Sequence, residues 1–368
     1  MNTNEEIKVA HSEALDRGGA LVVAEEIARV VGSELFVGFE NPRVVADDIQ
    51  STELFQSHLK RELSHRSSTI RDLCFFFDWQ NVPELHEADI LIESGNNPAW
   101  YVPGDDQSII RYVHSPPYAA YHRFHDVGTN IIKKVYATAL RTLYLQTIPY
   151  PDIWIANSEL VARRIEKYWG IEDVRVVYPP IETSNYYISK DSDYFFTLSH
   201  LRGEKRIDEI VSAFEGIEET LLVGGDGPAK ADLEKEAPKN VQFLGWLTEK
   251  EKREHLSKAR AFVFNADSED FGIAPAEALA SGTPVIGVRD GYTKIQIQDG
   301  KNGLLYSRGV KELRDSIVSF DISLLNWGPE EIAADAERYA KSRFRREIIQ
   351  AVEDASDERA SLLGPSNP

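Results

Sequence analysis

Short apolar runs alternate with amphipathic stretches along most of the chain. Ile7 to Ala10 reads as a strand, Gly18-Gly19 as a loop, and Ala20 to Val31 as an amphipathic helix. Further β-rich pieces follow at "SELFVGF", "TIRDLCFFFDW", "ADILIESG", "IIRYVHSPP" and "IWIANS", with helical pieces such as "SELVARRIEKYWG" among them. The texture changes at "VVYPPIETSNYYISKDSDYFFTLSH", which places a boundary near Thr183. The pattern then restarts: strand "YFFTLSH", helix "IDEIVSAFEG", strand "TLLVGG", helix "AKADLEKEA", strand "VQFLGW", helix "EKEKREHLSKA", and strands "AFVFNA" and "PVIGV". This alternation predicts the α/β class, with mostly parallel sheets covered on both faces. Two doubly wound, Rossmann-like domains are expected, at 1–183 and 184–340, followed by a C-terminal helix in 341–368.

Composition narrows the picture. A length of 368 residues favours two cores over one. The 42% hydrophobic and 10% aromatic content is enough to build them. A formal net charge of -19 argues against non-specific nucleic-acid binding, which needs a cationic surface. Such an excess suits a high-salt cytoplasm, where exposed carboxylates are screened. The single cysteine, Cys74, rules out an intramolecular disulfide and a thiolate cluster, and reads as a buried small apolar residue. "MNTNEEIKVA" lacks the basic start and apolar core of a signal peptide, and no run approaches a membrane span. A cytoplasmic protein is expected, with peripheral contact at the inner membrane face left open.

Candidate chemistry concentrates in "SEDFGIAPAEALASGTPVI", Ser268 to Ile286. Glu269 and Glu277 stand eight positions apart, which on one helix leaves their side chains roughly 80° apart. A strand-loop-helix context explains the spacing. "FVFNA" is the strand, "DSEDFG" the loop at its carboxyl end, Pro275 suits a first helical turn, and Gly282 can end the helix. Glu269 then lies in the loop and Glu277 in the helix, both at the carboxyl edge where open α/β sheets bind ligands. The N–H groups around Phe271, Gly272 and Ile273 suit an anion. The bland alternative is an exposed loop glutamate plus one that favours the helix dipole.

The stretch resembles the Glu-x7-Glu segment of retaining glycosyltransferases of GT-B fold, glycosyltransferase family 4. The resemblance implies two Rossmann-like domains facing a central cleft. It gives Glu269 the donor-sugar hydroxyls and Glu277 the nucleotide ribose. Other segments match in order. "SHLRGEKRIDEIVSAFEG" resembles the start of the nucleotide-binding domain, with Lys205 at the diphosphate lysine. His200 stands where the family usually has arginine, and Arg202 is a substitute. Trp246 falls where the family places groups near the nucleobase, with a structural tryptophan the alternative. "DRGGALVVAEEIA" resembles the Gly-Gly loop near the donor phosphates, giving Gly18 and Gly19 that role, since glycine removes the Cβ that blocks backbone approach. "YVHSPPYAAYHRFHD" resembles the His-Ser/Thr-Pro segment, placing His114 at the donor sugar near the acceptor. Ile295 departs from a glutamate common in the family. Gly225-Asp226-Gly227 hints at a dinucleotide fingerprint, but Lys230 holds its third glycine position.

The implied reaction moves a hexose from a UDP- or GDP-sugar to a glycan or lipid-linked acceptor, with mannose from GDP-mannose the first candidate and polysaccharide assembly the setting. It needs no cofactor and no metal. An i, i+3 metal pair of His122 and His125 with Asp126 is the competing reading. The final helix, in this family, crosses back onto the first domain. "NIIKKVYATALRTLYLQ", with Lys133, Lys134 and Arg141, reads as core along its apolar stripe, and as a membrane-touching helix in the alternative. A GT-B epimerase acting on nucleotide sugars and a non-catalytic nucleotide-sugar-binding protein are the rival functions. Oligomeric state is not legible.

Overall fold

The computed structural model describes residues 5–57, 62, 68–121, 131–189 and 193–363. The chain forms two compact units, Met1–Pro180 with Phe344–Pro368, and Ile181–Arg343.

The first unit is built on seven strands, β1 (Ile7–His11), β2 (Leu35–Val37), β3 (Ser51–Glu53), β4 (Ile90–Ser94), β5 (Ser108–Val113), β6 (Ile153–Ala156) and β7 (Arg175–Val176). Their order is β3-β2-β1-β4-β5-β6-β7 and every pair is parallel. Parallel pairing requires crossovers, and helices supply them on both faces. Side chains alternate across the sheet, as the period of two requires. Val9, Ile90, Ile92 and Ile110 join one buried cluster, which also takes in Leu21, Ala24 and Ile27 of the helix Gly19–Val31. Ala10, Leu91 and Ile109 face a second cluster with Phe75, Trp79, Leu140 and Tyr144. The helix Lys341–Leu363 completes the first cluster. Phe344, Ile348, Ala351, Val352 and Ala355 form its apolar stripe, and Arg345 pairs with Glu26 at 2.6 Å.

Two expectations change here. "TIRDLCFFFDW", read as β-rich, belongs to the helix Ser68–Trp79. Phe75 and Trp79, one helical turn apart, are buried while Phe77 is 65% exposed, a 3.6 period hidden inside an aromatic run. Cys74, on the same helix, is half-buried rather than buried. Along the helix Ile131–Gln146, Ala137, Leu140 and Tyr144 are core, whereas Ile131, Val135 and Leu145 are exposed. No helix among the described residues is long and apolar enough to cross a membrane. The proposed metal group His122, His125 and Asp126 lies outside the described residues.

The second unit carries six parallel strands, β8 (Tyr194–Leu198), β9 (Thr220–Gly224), β10 (Val241–Gly245), β11 (Ala261–Phe264), β12 (Val285–Val288) and β13 (Gly303–Tyr306), ordered β10-β9-β8-β11-β12-β13. Strand order reverses between β8 and β11 here, and between β1 and β4 in the first unit. Each reversal opens a crevice at the carboxyl ends of the central strands. The Gly225-Asp226-Gly227 turn serves packing. A Cβ on Gly225 would lie 1.9 Å from the Ser199 carbonyl oxygen, and one on Gly227 would lie 2.6 Å from that of Leu201.

Candidate functional site

In the second unit, the loops leaving β8 and β11 meet at the reversal. The backbone N–H of Asp267 donates to the Glu204 carbonyl at 2.8 Å, tying the two loops together. This brings Lys205 and Glu269 into contact: Lys205 Nζ lies 2.7 Å from Glu269 Oε2. Both side chains are partly exposed, so the pair is open to competition from a ligand. Around Glu269 the loop is fixed from behind. Ser268 adopts φ 53°, and Asp290 accepts from the Ser268 and Gly291 N–H groups at 3.0 and 2.7 Å. Tyr292 N–H donates to the Glu269 carbonyl at 2.7 Å, and the Tyr292 and Phe271 rings stack. Gly291 must be glycine: its φ is +52° and a Cβ would lie 2.5 Å from Glu269 N. Burial raises the Asp290 carboxyl, but the N–H donors and Arg308 outweigh it and hold the group below its usual value.

Gly272, at φ +82°, caps the helix Ile273–Ala280, which carries Pro275 in its first turn. Ile273 N–H stands ahead of the first intrahelical bond. Phe271 and Gly272 are buried, and Gly282 follows the helix at φ +69°. Glu277 is buried within that helix, and one oxygen holds two partners. Tyr186 Oη and Lys252 Nζ both donate to Glu277 Oε1 at 2.7 Å. Among the described residues Oε2 has no partner, so it remains available to a hydroxyl donor. Burial pulls the Lys252 ammonium down, but the Glu277 and Glu249 carboxylates outweigh that and hold it above the usual lysine value. Burial and the Glu277 charge raise the Tyr186 phenol well above its ordinary range, so it stays a donor. The sequence had not singled out Lys252 or Tyr186.

His200 and Arg202 are exposed on the loop after β8, and Trp246 is 71% exposed just beyond β10. Ile295 is half-buried on the one-turn helix Thr293–Gln296; the next residue, Gln296, is fully buried and donates to the Gly272 carbonyl at 3.2 Å. A cavity of about 740 Å³ lies at the opposite edge of this sheet, ahead of β9, β11 and β12, lined by Glu219, Arg260, Thr283 and Trp327 among others. Its one guanidinium, Arg260, is already held by Glu219 and the Phe320 carbonyl. The carboxylates converge elsewhere.

In the first unit, β1 ends at His11 and β4 at Ser94, directly opposite one another at the reversal. His114 lies just past β5. His11 Nδ1 is 2.9 Å from the Ser94 carbonyl oxygen and 3.2 Å from its Oγ, and Ser94 Oγ is 2.8 Å from His114 Nε2. Asn157 donates to the His114 carbonyl at 2.9 Å. Burial lowers the His11 pKa to about 4. Burial, then the nearby His11, lowers that of His114 to about 3. Gly18 is the N-cap of the helix Gly19–Val31, with extended φ of -116°. A Cβ there would meet nothing within 4 Å, so the fold itself does not require glycine at 18.

The fold and the site define a two-domain doubly wound protein whose second unit presents a cation, two carboxylates and a helix N-terminus at a strand-order reversal. Residues 182–326 match the family model described as glycosyl transferases group 1. The chain is 29% identical over 169 residues to the alpha-monoglucosyldiacylglycerol synthase of Streptococcus pneumoniae, across 43% of this chain and 38% of that protein. It is 30% identical over 205 residues to the N-acetyl-alpha-D-glucosaminyl L-malate synthase of Bacillus anthracis, across 50% and 53%. Its structure superposes on that of Anabaena HepE solved in complex with UDP with a TM-score of 0.74, at 15% identity, covering 95% of this chain and 100% of that one. The second unit is thus similar to the group 1 glycosyltransferases, and the chain as a whole has the GT-B fold. It spans about half or less of the length of the curated relatives it matches.

Proposed function

We propose that the protein is a retaining glycosyltransferase that moves a hexose from a nucleotide-diphosphate sugar to a glycan or lipid-linked acceptor. The observation that carries this is the arrangement of Lys205, Glu269 and Glu277 around the loop and helix after β11. Glu277 Oε2 accepts from a ribose hydroxyl, while Tyr186 and Lys252 hold the side chain in place through Oε1. A diphosphate takes the Lys205 ammonium from Glu269, aided by the N–H groups at Gly272 and Ile273. Glu269, released from that ion pair, accepts from hydroxyls of the donor sugar. The reaction needs an acceptor hydroxyl placed beside the anomeric carbon and charge stabilised on the leaving diphosphate. A front-face route lets the leaving phosphate take the acceptor's proton, so no protein nucleophile is required. Gly18, Gly19 and His114 of the first unit are assigned to the donor phosphates and sugar, and Trp246 to the base.

The names of the relatives inform the substrates. HepE was solved with UDP and UDP-glucose. Another relative, from Mycobacterium tuberculosis, is a GDP-mannose-dependent alpha-mannosyltransferase. UDP- and GDP-hexoses are therefore the donors to test. Two relatives are alpha-monoglucosyldiacylglycerol synthases, which brings diacylglycerol into the acceptor set beside glycans. The experiment incubates the protein with each donor and both acceptor classes, and reads product mass and anomeric configuration by NMR. A glycosylated acceptor with the donor's configuration is expected. An inverted product overturns the retaining route, and an epimerised donor with no transfer overturns the transferase reading.

A further inference from the structure

The donor and acceptor requirements of the groups joining β1, β4 and the turn after β5 fix where two protons sit. A carbonyl oxygen only accepts, so the 2.9 Å contact between His11 Nδ1 and the Ser94 carbonyl requires the His11 proton on Nδ1. That same N–H also faces Ser94 Oγ at 3.2 Å, so the hydroxyl oxygen is an acceptor toward His11. Ser94 is fully buried, and a buried hydroxyl proton needs an acceptor of its own. Among the described residues the acceptor within reach is His114 Nε2, 2.8 Å away. A nitrogen that accepts carries no proton, which leaves the His114 proton on Nδ1. The two rings stand edge to face with centroids 6.2 Å apart, an arrangement that disfavours a second positive charge.

We infer that Ser94 is a positioning residue that holds His114 in the neutral Nδ1–H form, so that the ring offers an N–H donor to an oxygen of a bound sugar or phosphate and cannot take a proton through that nitrogen. His11 locks Ser94 from the far side, and its neutral state follows from the same burial that lowers both rings. The inference rests on the proposed transferase reading only for the identity of the ligand. The tautomer itself is a property of the free protein. A neutral histidine side chain free in water favours the Nε2–H form, so the chain His11, Ser94, His114 reverses the default at the residue assigned to the sugar.

The test labels the histidines of the full chain with ¹⁵N and records two-bond ¹H–¹⁵N correlations at pH 7, with His11→Asn and His114→Asn spectra for assignment. Two neutral rings are expected, each with a pyrrole-type Nδ1 and a pyridine-type Nε2. Ser94→Ala should move His114 toward the Nε2–H form and lower kcat/KM about tenfold, while nucleotide affinity stays unchanged. Ser94→Thr keeps the hydroxyl and should restore both the spectrum and the rate. A wild-type His114 protonated on Nε2, or on both nitrogens, overturns the inference. So does an Ser94→Ala spectrum identical to wild type in a folded protein. Because the spectrum needs no substrate, a protein without transferase activity leaves this test intact, and the two readings fail separately.

Discussion

Replacing Lys252 with methionine keeps most of the side chain's volume and removes its charge. In the native structure its Nζ lies 2.7 Å from Glu277 Oε1, with side-chain exposures of 14% and 11%, so solvent screens the pair little. The substitution leaves Glu277 with Tyr186 as the partner on that oxygen. A hydrogen bond to a charged group contributes about 1.5–3 kcal/mol, and stranding a buried carboxylate sits at the upper part of that range. For a unit of this size, about 2–3 kcal/mol corresponds to a drop in melting temperature of roughly 4–12 °C. The second variant, Glu277→Gln, and the double variant complete a cycle. The double variant removes both charges, so it should be more stable than the sum of the single losses by about 1.5–3 kcal/mol. Chemical denaturation of the four proteins reads this coupling. A coupling near zero, with the single losses simply adding, would refute the claim that the Lys252 ion pair holds Glu277 in place.

Other consequences follow from the same geometry. Glu269→Gln removes a partly exposed ion pair with Lys205, so stability should change by less than about 1 kcal/mol while transfer falls steeply and nucleotide affinity holds; a stability loss much beyond that would contradict the assignment. Gly291→Ala forces a Cβ against the Glu269 backbone at φ +52°, at a cost of about 1–3 kcal/mol, whereas Gly18→Ala should leave the melting temperature unchanged and weaken donor binding. The buried histidines set a pH window. In the unfolded chain both titrate near 6.5, but in the fold at about 4 and about 3. The unfolded state therefore binds more protons as pH falls from about 7 toward 4, and stability is lost in that direction by up to about 1.4 kcal/mol per pH unit for each ring. Denaturation curves of a His11→Asn, His114→Asn variant should show a shallower fall; an unchanged slope would count against neutral burial.

The sequence made the second unit easy to read because its chemistry is local. Glu269 and Glu277 share one strand-loop-helix segment, and Gly272, Pro275 and Gly282 punctuate it as turn chemistry demands. Lys252 and Tyr186 were hidden for the opposite reason. Lys252 sits in "EKEKREHLSK", a charge-rich stretch that reads as a solvated helix face, and Tyr186 reaches Glu277 across 91 positions of sequence. Ser94 and His11 carry no local signal either, since register between β1 and β4, not spacing, brings them together. The helix Ser68–Trp79 was misread because an unbroken aromatic run satisfies a period of two as well as 3.6. Only the burial of Phe75 and Trp79 against the exposure of Phe77 separates the two.

The most direct test of the central claim is calorimetric titration of UDP, GDP and ADP into the purified protein and into Glu277→Ala. The account predicts that one of the three nucleotides binds, and that the variant weakens it by roughly ten- to 150-fold, the loss of one charged hydrogen bond to the ribose. Equal affinity in a folded variant, or no binding of any nucleotide to the wild type, would contradict it.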